Sequence, residues 1–172
     1  MAHPNDELIE RFYAAFARCD GDAMAECYGP TAHFSDPVFV DLHHDEPGAM
    51  WRMLTGRSRD LVVVLGEHEA DSTEGRARWT ADYTFSNGNK VHNDVLARFR
   101  FEGGLIVEHI DSFSFYAWSR QALGGVGRFL GWTPLIRTMV RGKAREGLDE
   151  FLGLPVVESR RRRRLRGLSK GE

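Results

Sequence analysis

RARWTADYTFSNGNKVHNDVLARFRF, residues 76–101, carries a period of two through both of its halves. Ala77, Trp79, Ala81, Tyr83 and Phe85 alternate with Arg78, Thr80, Asp82 and Thr84. Val91, Asn93, Val95, Ala97, Phe99 and Phe101 alternate with His92, Asp94, Arg98 and Arg100. Side chains two apart on a strand share a face, so each half reads as a strand with one apolar and one wet face. Asn87-Gly88 between the halves is a hairpin signal. The same period runs through 61–70 and 105–113, bounded by turn sequences at 71–75 and at Gly103-Gly104. The spacing predicts an antiparallel meander of four long strands.

Upstream of this meander the period is helical. Leu8, Ile9, Phe12, Tyr13 and Phe16 recur on one side of a helix that Asn5 or Asp6 can cap. Asp20-Gly21-Asp22 breaks it, and Asp22 is expected to cap a short second helix that turns Met24, Cys27 and Tyr28 inward. Asp45 can cap a third helix, with Pro47 in its first turn and Met50, Trp51, Met53 and Leu54 on its apolar side. Three helices followed by a curved sheet predict an α+β fold in which the sheet wraps around the helices. Downstream, 116–123 reads as a helical turn or two, and Gly124, Gly125 and Gly127 as a flexible joint. Thr133-Pro134 opens a helix to about residue 152, striped by Leu135, Ile136, Met139, Val140, Leu148, Phe151 and Leu152. That helix either covers the open end of the sheet or pairs with a second subunit.

A chain of 172 residues, 42% hydrophobic, is long enough for one domain with a real core. We expect a domain over 1–153 and a basic, disordered tail over 154–172. From Pro155 onward seven basic residues (Arg160 to Arg164, Arg166 and Lys170) face two acids, so this end is +5 and the remainder −7 within a net charge of −2. A block of like charges with little apolar content cannot bury enough surface to fold. Phosphate attraction would draw RNA or anionic lipid to it, but the absence of interleaved aromatics argues for a solvated tail without a partner. Nothing near Met1 resembles a secretory signal, and the longest aliphatic run, 61–65, is too short to cross a bilayer, so a cytoplasmic location is expected. Cys19 and Cys27 fit reduced, packed thiols. The glycines at 124–127 follow no strand-to-helix crossover, which excludes a dinucleotide loop, and no serine or cysteine nucleophile signature occurs. His43-His44-Asp45 is contiguous, so its side chains diverge, and no His-x-x-x-His or carboxylate cluster supports a metal; none is expected.

Polar residues on apolar faces carry the functional signal. In YGPTAHFSDPVF, residues 28–39, Ala32, Phe34 and Asp36 alternate along a short strand that Pro37 ends. Asp36 either faces a cavity or satisfies the N–H groups of the following turn. In the last strand Leu105, Val107, His109, Asp111 and Phe113 share one face, and Ile106, Glu108, Ile110 and Ser112 the other. Alternation alone does not say which is inside, but Phe113 and the neighbouring aromatic face favour the first set. His109 and Asp111 would then project into the interior with Asp36 and Asn93, either as a structural hydrogen-bonded pair or as chemistry. Carboxylates in a partly apolar cavity lose hydration, which raises at least one pKa toward the range a general acid or base needs.

The order FYAAFARCDGDAMAECYGPTAHFSDPVF (12–39), MWRML (50–54) and GLIVEHIDSFSF (104–115) resembles the SnoaL-like group of the nuclear transport factor 2-like superfamily over about 8–115. The resemblance implies a cone of curved sheet closed by three helices around one apolar pocket, commonly homodimeric through the outer face of the sheet. Its relatives include ketosteroid isomerases, polyketide cyclases and limonene epoxide hydrolases, besides binding members without chemistry. Asp36-Pro37 matches the Asp-Pro of the isomerases, where the acid shuttles a proton beside a carbonyl. Their tyrosine position falls on Ala14, one residue from Tyr13, and their protonated acid near Val95 or Ala97. Asp111 matches a catalytic acid of the epoxide hydrolases, whose arginine and second acid would fall near Arg78 and Thr80, on the wet face. The sequence therefore points to a cofactor-free, homodimeric pocket protein for a small apolar molecule. Its expected catalytic residues are Asp36, Asp111 and His109, lined by Tyr13, Trp51, Trp79, Tyr83, Asn93 and Phe113. The chemistry would be isomerisation, cyclisation or hydration, including epoxide opening; the alternative is a non-catalytic binding or interaction module.

Overall fold

The computed structural model describes residues 3–154, so the expectation for the arginine run lies outside the described residues. Helix α1 (Pro4–Ala17) is capped by His3, whose ring accepts the Asn5 N–H, rather than by Asn5 or Asp6. Pro4 lacks an N–H and is suited to the first helical position, which puts the cap on the residue before it. Asn5 is buried instead and donates to the Asp71 carbonyl at 2.8 Å. Leu8, Ile9, Phe12, Tyr13 and Phe16 are all buried. Asp20, not Asp22, caps α2 (Gly21–Ala25), accepting from Ala23 N at 3.0 Å. Asp45 stands at the start of α3 (Glu46–Arg57) without a side-chain cap bond.

The strands are β1 (Tyr28–Ser35), β2 (Leu42–His43), β3 (Val62–Ala70), β4 (Glu74–Thr84), β5 (Lys90–Glu102) and β6 (Leu105–Ser112). They form one sheet in the order β2-β1-β6-β5-β4-β3. The predicted meander is β3 to β6, antiparallel throughout, while β1 joins its edge parallel to β6 and carries the two-residue β2. A strand of two residues has no periodicity to read, so β2 was not predicted. One extra residue on β6 lies between the pairs Phe101–Ile106 and Phe99–His109. This bulge turns Ile106 inward, fully buried, where simple alternation puts it opposite His109.

The inner face of the sheet packs on α1 and α3. Val62, Val64 and Leu96 stand exposed on the outer face. Beyond the meander come α4 (Phe115–Ala122), α5 (Gly125–Leu130) and α6 (Pro134–Phe151). The predicted glycine joint is therefore mostly a short helix. Phe115, Trp118, Ala122, Ile136 and Val140 make a second apolar cluster, against which Val38, Tyr83, Phe85 and Phe113 pack. The C-terminal helices thus cover the open end of the sheet. Arg145 ties α6 to α3 by an ion pair with the buried Glu46 at 2.7 Å. Among the described residues no helix is long and apolar enough to cross a membrane.

Candidate functional site

The floor of the site is a line of buried polar groups. Register places His109 beside Phe34 on one flank and Phe99 on the other, and Asp111 beside Ala97. His109 is fully buried and Asp111 is 4% exposed. The imidazole sits among the rings of Phe12, Phe34, Phe99 and Trp51, whose centroids lie 4.3–6.2 Å from its own. Both of its nitrogens are satisfied: Nδ1 is 2.6 Å from the Tyr28 hydroxyl and Nε2 is 3.0 Å from Asp111 Oδ1. The Trp51 indole N–H can only donate, and it lies 2.9 Å from the Tyr28 oxygen. The Tyr28 proton therefore goes to Nδ1, the imidazole proton sits on Nε2, and Nε2–H donates to Asp111; this tautomer is assigned from the network. Asp111 Oδ1 also receives the Trp79 indole at 3.5 Å. Its Oδ2 makes no hydrogen bond among the described residues. Burial pushes the Tyr28 hydroxyl well above its ordinary pKa, with the Asp111 charge adding to the rise against the lowering influence of Trp51.

Asp36 is built differently. β1 ends at Ser35, so Asp36 lies in the turn beyond it. Its N–H donates to the Phe39 carbonyl at 2.8 Å, while its Oδ1 accepts from Val38 N at 2.6 Å and Phe39 N at 2.5 Å. Two readings of this acid thus hold together: one oxygen caps a turn, and the group still belongs to the interior. Its pKa is pushed up to about 7. Burial is the main cause, and the Asp111 charge adds to it; the Phe39 and Val38 N–H groups and the Arg141 guanidinium pull the other way. The side chain keeps some accessible surface, but the surrounding protein is dense enough for lost hydration to dominate. Arg141 reaches the same turn from α6, donating to the Pro37 carbonyl at 3.0 Å.

The remaining expected residues divide by burial. Tyr13, Trp51 and Trp79 are buried around Asp111 and Tyr28. Tyr13 has a hydroxyl sealed from solvent with no hydrogen-bond partner, and burial together with the Asp111 charge raises its pKa well above the ordinary value. Tyr83, Asn93 and Phe113 are half-buried. Tyr83 accepts the Trp118 indole at 2.9 Å; burial raises its pKa, the Trp118 bond opposes the rise and the Asp36 charge adds to it. Asn93 stands opposite Ala81 and makes no hydrogen bond among the described residues. Arg78 pairs with Asp94 on the outer face at 2.6 Å, where alternation places it. Two surface clefts, one around Arg76, Arg98 and Glu108 and one around Asp60, Lys90 and Gln121, are lined by neither acid.

Sequence reasoning missed Tyr28, Arg141 and Trp118 as parts of this site. Tyr28 was read as inward-facing, but its partner is 81 residues away, and no local pattern encodes that pairing. Arg141 and Trp118 belong to helices whose docking depends on tertiary packing.

Residues 9–109 match the family model described as the SnoaL-like domain. None of the curated proteins matches the chain. Among solved structures it is similar to an NTF2-like protein of unknown function from Burkholderia pseudomallei, with 17% identity and a TM-score of 0.61 over 70% of this chain and 98% of that one. It is similar to an LEH-like epoxide hydrolase from M. tuberculosis, with 19% identity and a TM-score of 0.60 over 72% and 92%. A putative polyketide cyclase from Xanthomonas campestris shares 18% identity at a TM-score of 0.59 over 69% and 96%. At these identities the likeness is one of fold.

Proposed function

The chain belongs to the SnoaL-like domain family, and from that premise we propose that it is a proton-transfer enzyme acting on a small, mainly apolar molecule. The observation that carries this reading is Asp36, a carboxyl held near neutrality with Asp111 close enough to raise it. A group with a pKa near the working pH serves as general base in one step and general acid in the next. In our reading Asp36 moves the proton through its unbonded oxygen. Asp111, fixed by His109 and Trp79, presents Oδ2 as the second polar anchor. The unpartnered Tyr13 hydroxyl and the free Asn93 amide supply donors to a substrate oxygen, and Tyr83, Phe113, Trp51 and Trp79 supply apolar walls. His109 acts through Asp111 as a positioning residue. The reaction class is isomerisation, cyclisation or hydration without a cofactor, and the fold alone does not choose among them.

The proposal places the protein in the cytoplasm as a homodimer. The exposed Val62, Val64 and Leu96 on the outer face of the sheet support that pairing. A second reading, binding without turnover, is favoured by one observation: both surface clefts lie away from the two acids.

The test is a thermal-shift screen against steroids, polyketide-like aromatics and terpene epoxides, since a bound ligand raises stability by mass action. Turnover of any hit is then measured for the wild type, Asp36→Asn and Asp111→Asn. We expect kcat/KM to rise through a pH of about 7 in the wild type and both variants to lose turnover. Full turnover in both variants would remove the acid/base assignment. Ligand binding with no turnover in any of the three would establish the second reading.

A further inference from the structure

We propose that His33, Asp41 and His43 form a binding site for one divalent transition-metal ion at the β1–β2 edge of the sheet. Sequence reading expects no metal because it weighs the contiguous His43-His44-Asp45. The fold brings together a different set. His33 and His43 are register partners across the hairpin, so their side chains project to the same side, and their rings stack with centroids 4.8 Å apart. Asp41, one residue before β2, has φ 64° and places its carboxylate between the two imidazoles. Its Oδ1 lies 3.4 Å from His33 Nε2 and 3.2 Å from His43 Nε2, and the three donor atoms all fall within 4.8 Å of one another.

These separations suit a bound ion. Bonds of about 2.0–2.1 Å in a tetrahedral site put neighbouring donor atoms about 3.3 Å apart. The two oxygen-to-nitrogen edges already have that length, and a small rotation of the half-exposed His43 ring closes the third. An independent observation points the same way. His33 Nε2 is sealed from solvent yet has no hydrogen-bond partner, since Asp41 Oδ1 approaches it outside hydrogen-bonding geometry. An occluded nitrogen lone pair is costly when unused, and a metal ion would use it. The donor set also selects the class of ion. Two imidazoles and one carboxylate suit zinc and its first-row neighbours, whereas magnesium and calcium take oxygen ligands. With 28–43% of each side chain exposed, water can fill the remaining coordination position.

The location suggests what binding does. The loop from β1 to β2 contains Asp36 and its turn, and His33, Asp41 and His43 gather at the base of that loop. An ion there ties together the two strands that flank the loop carrying the acid, acting as a staple rather than as a reagent. His44, by contrast, points its Nδ1 at the Pro30 carbonyl, 3.3 Å away, and takes no part.

Full-length protein freed of metal with a chelator and titrated with zinc chloride by calorimetry tests the proposal, with thermal unfolding followed in parallel. We expect one zinc per chain and a raised melting temperature, and no response to magnesium chloride. His33→Ala and Asp41→Asn should each weaken zinc binding by about tenfold or more, while His44→Asn leaves it unchanged. Asp41 and His44 have φ of 64° and 59°, which asparagine tolerates, so Asp41→Asn and His44→Asn should fold. Circular dichroism of the metal-free proteins checks this, and if His33→Ala fails to fold, Asp41→Asn decides. Cobalt substitution adds a spectroscopic readout: an intense visible band expected in the wild type and lost in Asp41→Asn. Absence of saturable one-to-one zinc uptake, or uptake unaltered in Asp41→Asn, would overturn the site.

Discussion

The two acids of the interior are the same residue type held in opposite ways. Asp111 stands on a strand and ends a saturated line of side chains, Trp51 to Tyr28 to His109, within a packed aromatic shell. Asp36 stands in a turn and is held by two backbone N–H groups, with Arg141 nearby and the residue only half-buried. The first arrangement fixes geometry, because the Tyr28 hydroxyl, both His109 nitrogens and Asp111 Oδ1 are all engaged. The second leaves a carboxyl poised to change its charge. The proton transfer proposed for this chain would draw on both, a fixed acid on the sheet and a titrating one in the turn beside it.

The contrast can be broken most violently at the floor. His109→Leu leaves Asp111 and Tyr28 without their shared partner in a buried place, and we expect a loss of about 3–5 kcal/mol in denaturant unfolding. A loss below about 1 kcal/mol would mean that the line of hydrogen bonds contributes little. In the turn that holds Asp36 the expected effect is smaller and has the opposite sign. The folded-state pKa of Asp36, about 7, exceeds the unfolded value of about 3.9, so the folded state binds the extra proton between those limits. The contribution of this group to stability is fully present below about pH 4 and is lost as pH rises through about 7. Asp36→Asn removes that loss. The variant should therefore match the wild type near pH 4 and exceed it at pH 8 by about 1–2 kcal/mol, a figure reduced for the water that reaches this half-buried group. Equal pH profiles for the two proteins would contradict the assignment.

Two milder substitutions sharpen the comparison. Trp51→Phe keeps the ring packing but removes the indole donor to Tyr28, which should cost about 1 kcal/mol in thermal unfolding. Arg141→Met should cost less than about 1 kcal/mol, through its bond to the Pro37 carbonyl. It should also move the pH at which Asp36 ionises upward, because the guanidinium favours the charged form. No movement would place Arg141 outside the site.

Much of this arrangement is legible in the chain because periodicity reports faces. The alternation through Trp79, Tyr83, Asn93 and Val95 gave the inner face of the sheet, and the two-residue spacing of His109 and Asp111 put both inside. Alternation failed where the backbone departs from regularity. The bulge on β6 reversed Ile106, and the end of β1 at Ser35 took Asp36 off the strand to which its spacing assigned it. Helix caps shifted two or three residues earlier because His3 and Asp20 reached the first N–H groups before the expected caps. Pairings across long separations were not legible. Tyr28 with His109 and Arg141 with Pro37, 81 and 104 residues apart, arise from register and docking, and no short window of sequence contains both partners; His33 and His43 are near in sequence, but the two-residue β2 that pairs them carries no periodic signal.

The account depends on a carboxyl that titrates near neutrality inside a folded domain. Carbon-13 NMR of the aspartate carboxyl carbons, followed from pH 3 to pH 9 in the wild type and in Asp36→Asn, observes it directly. The account predicts one resonance with a midpoint of about 7 that disappears in the variant. Loss in the variant of a resonance whose midpoint is about 4, the ordinary range for aspartate, would contradict it.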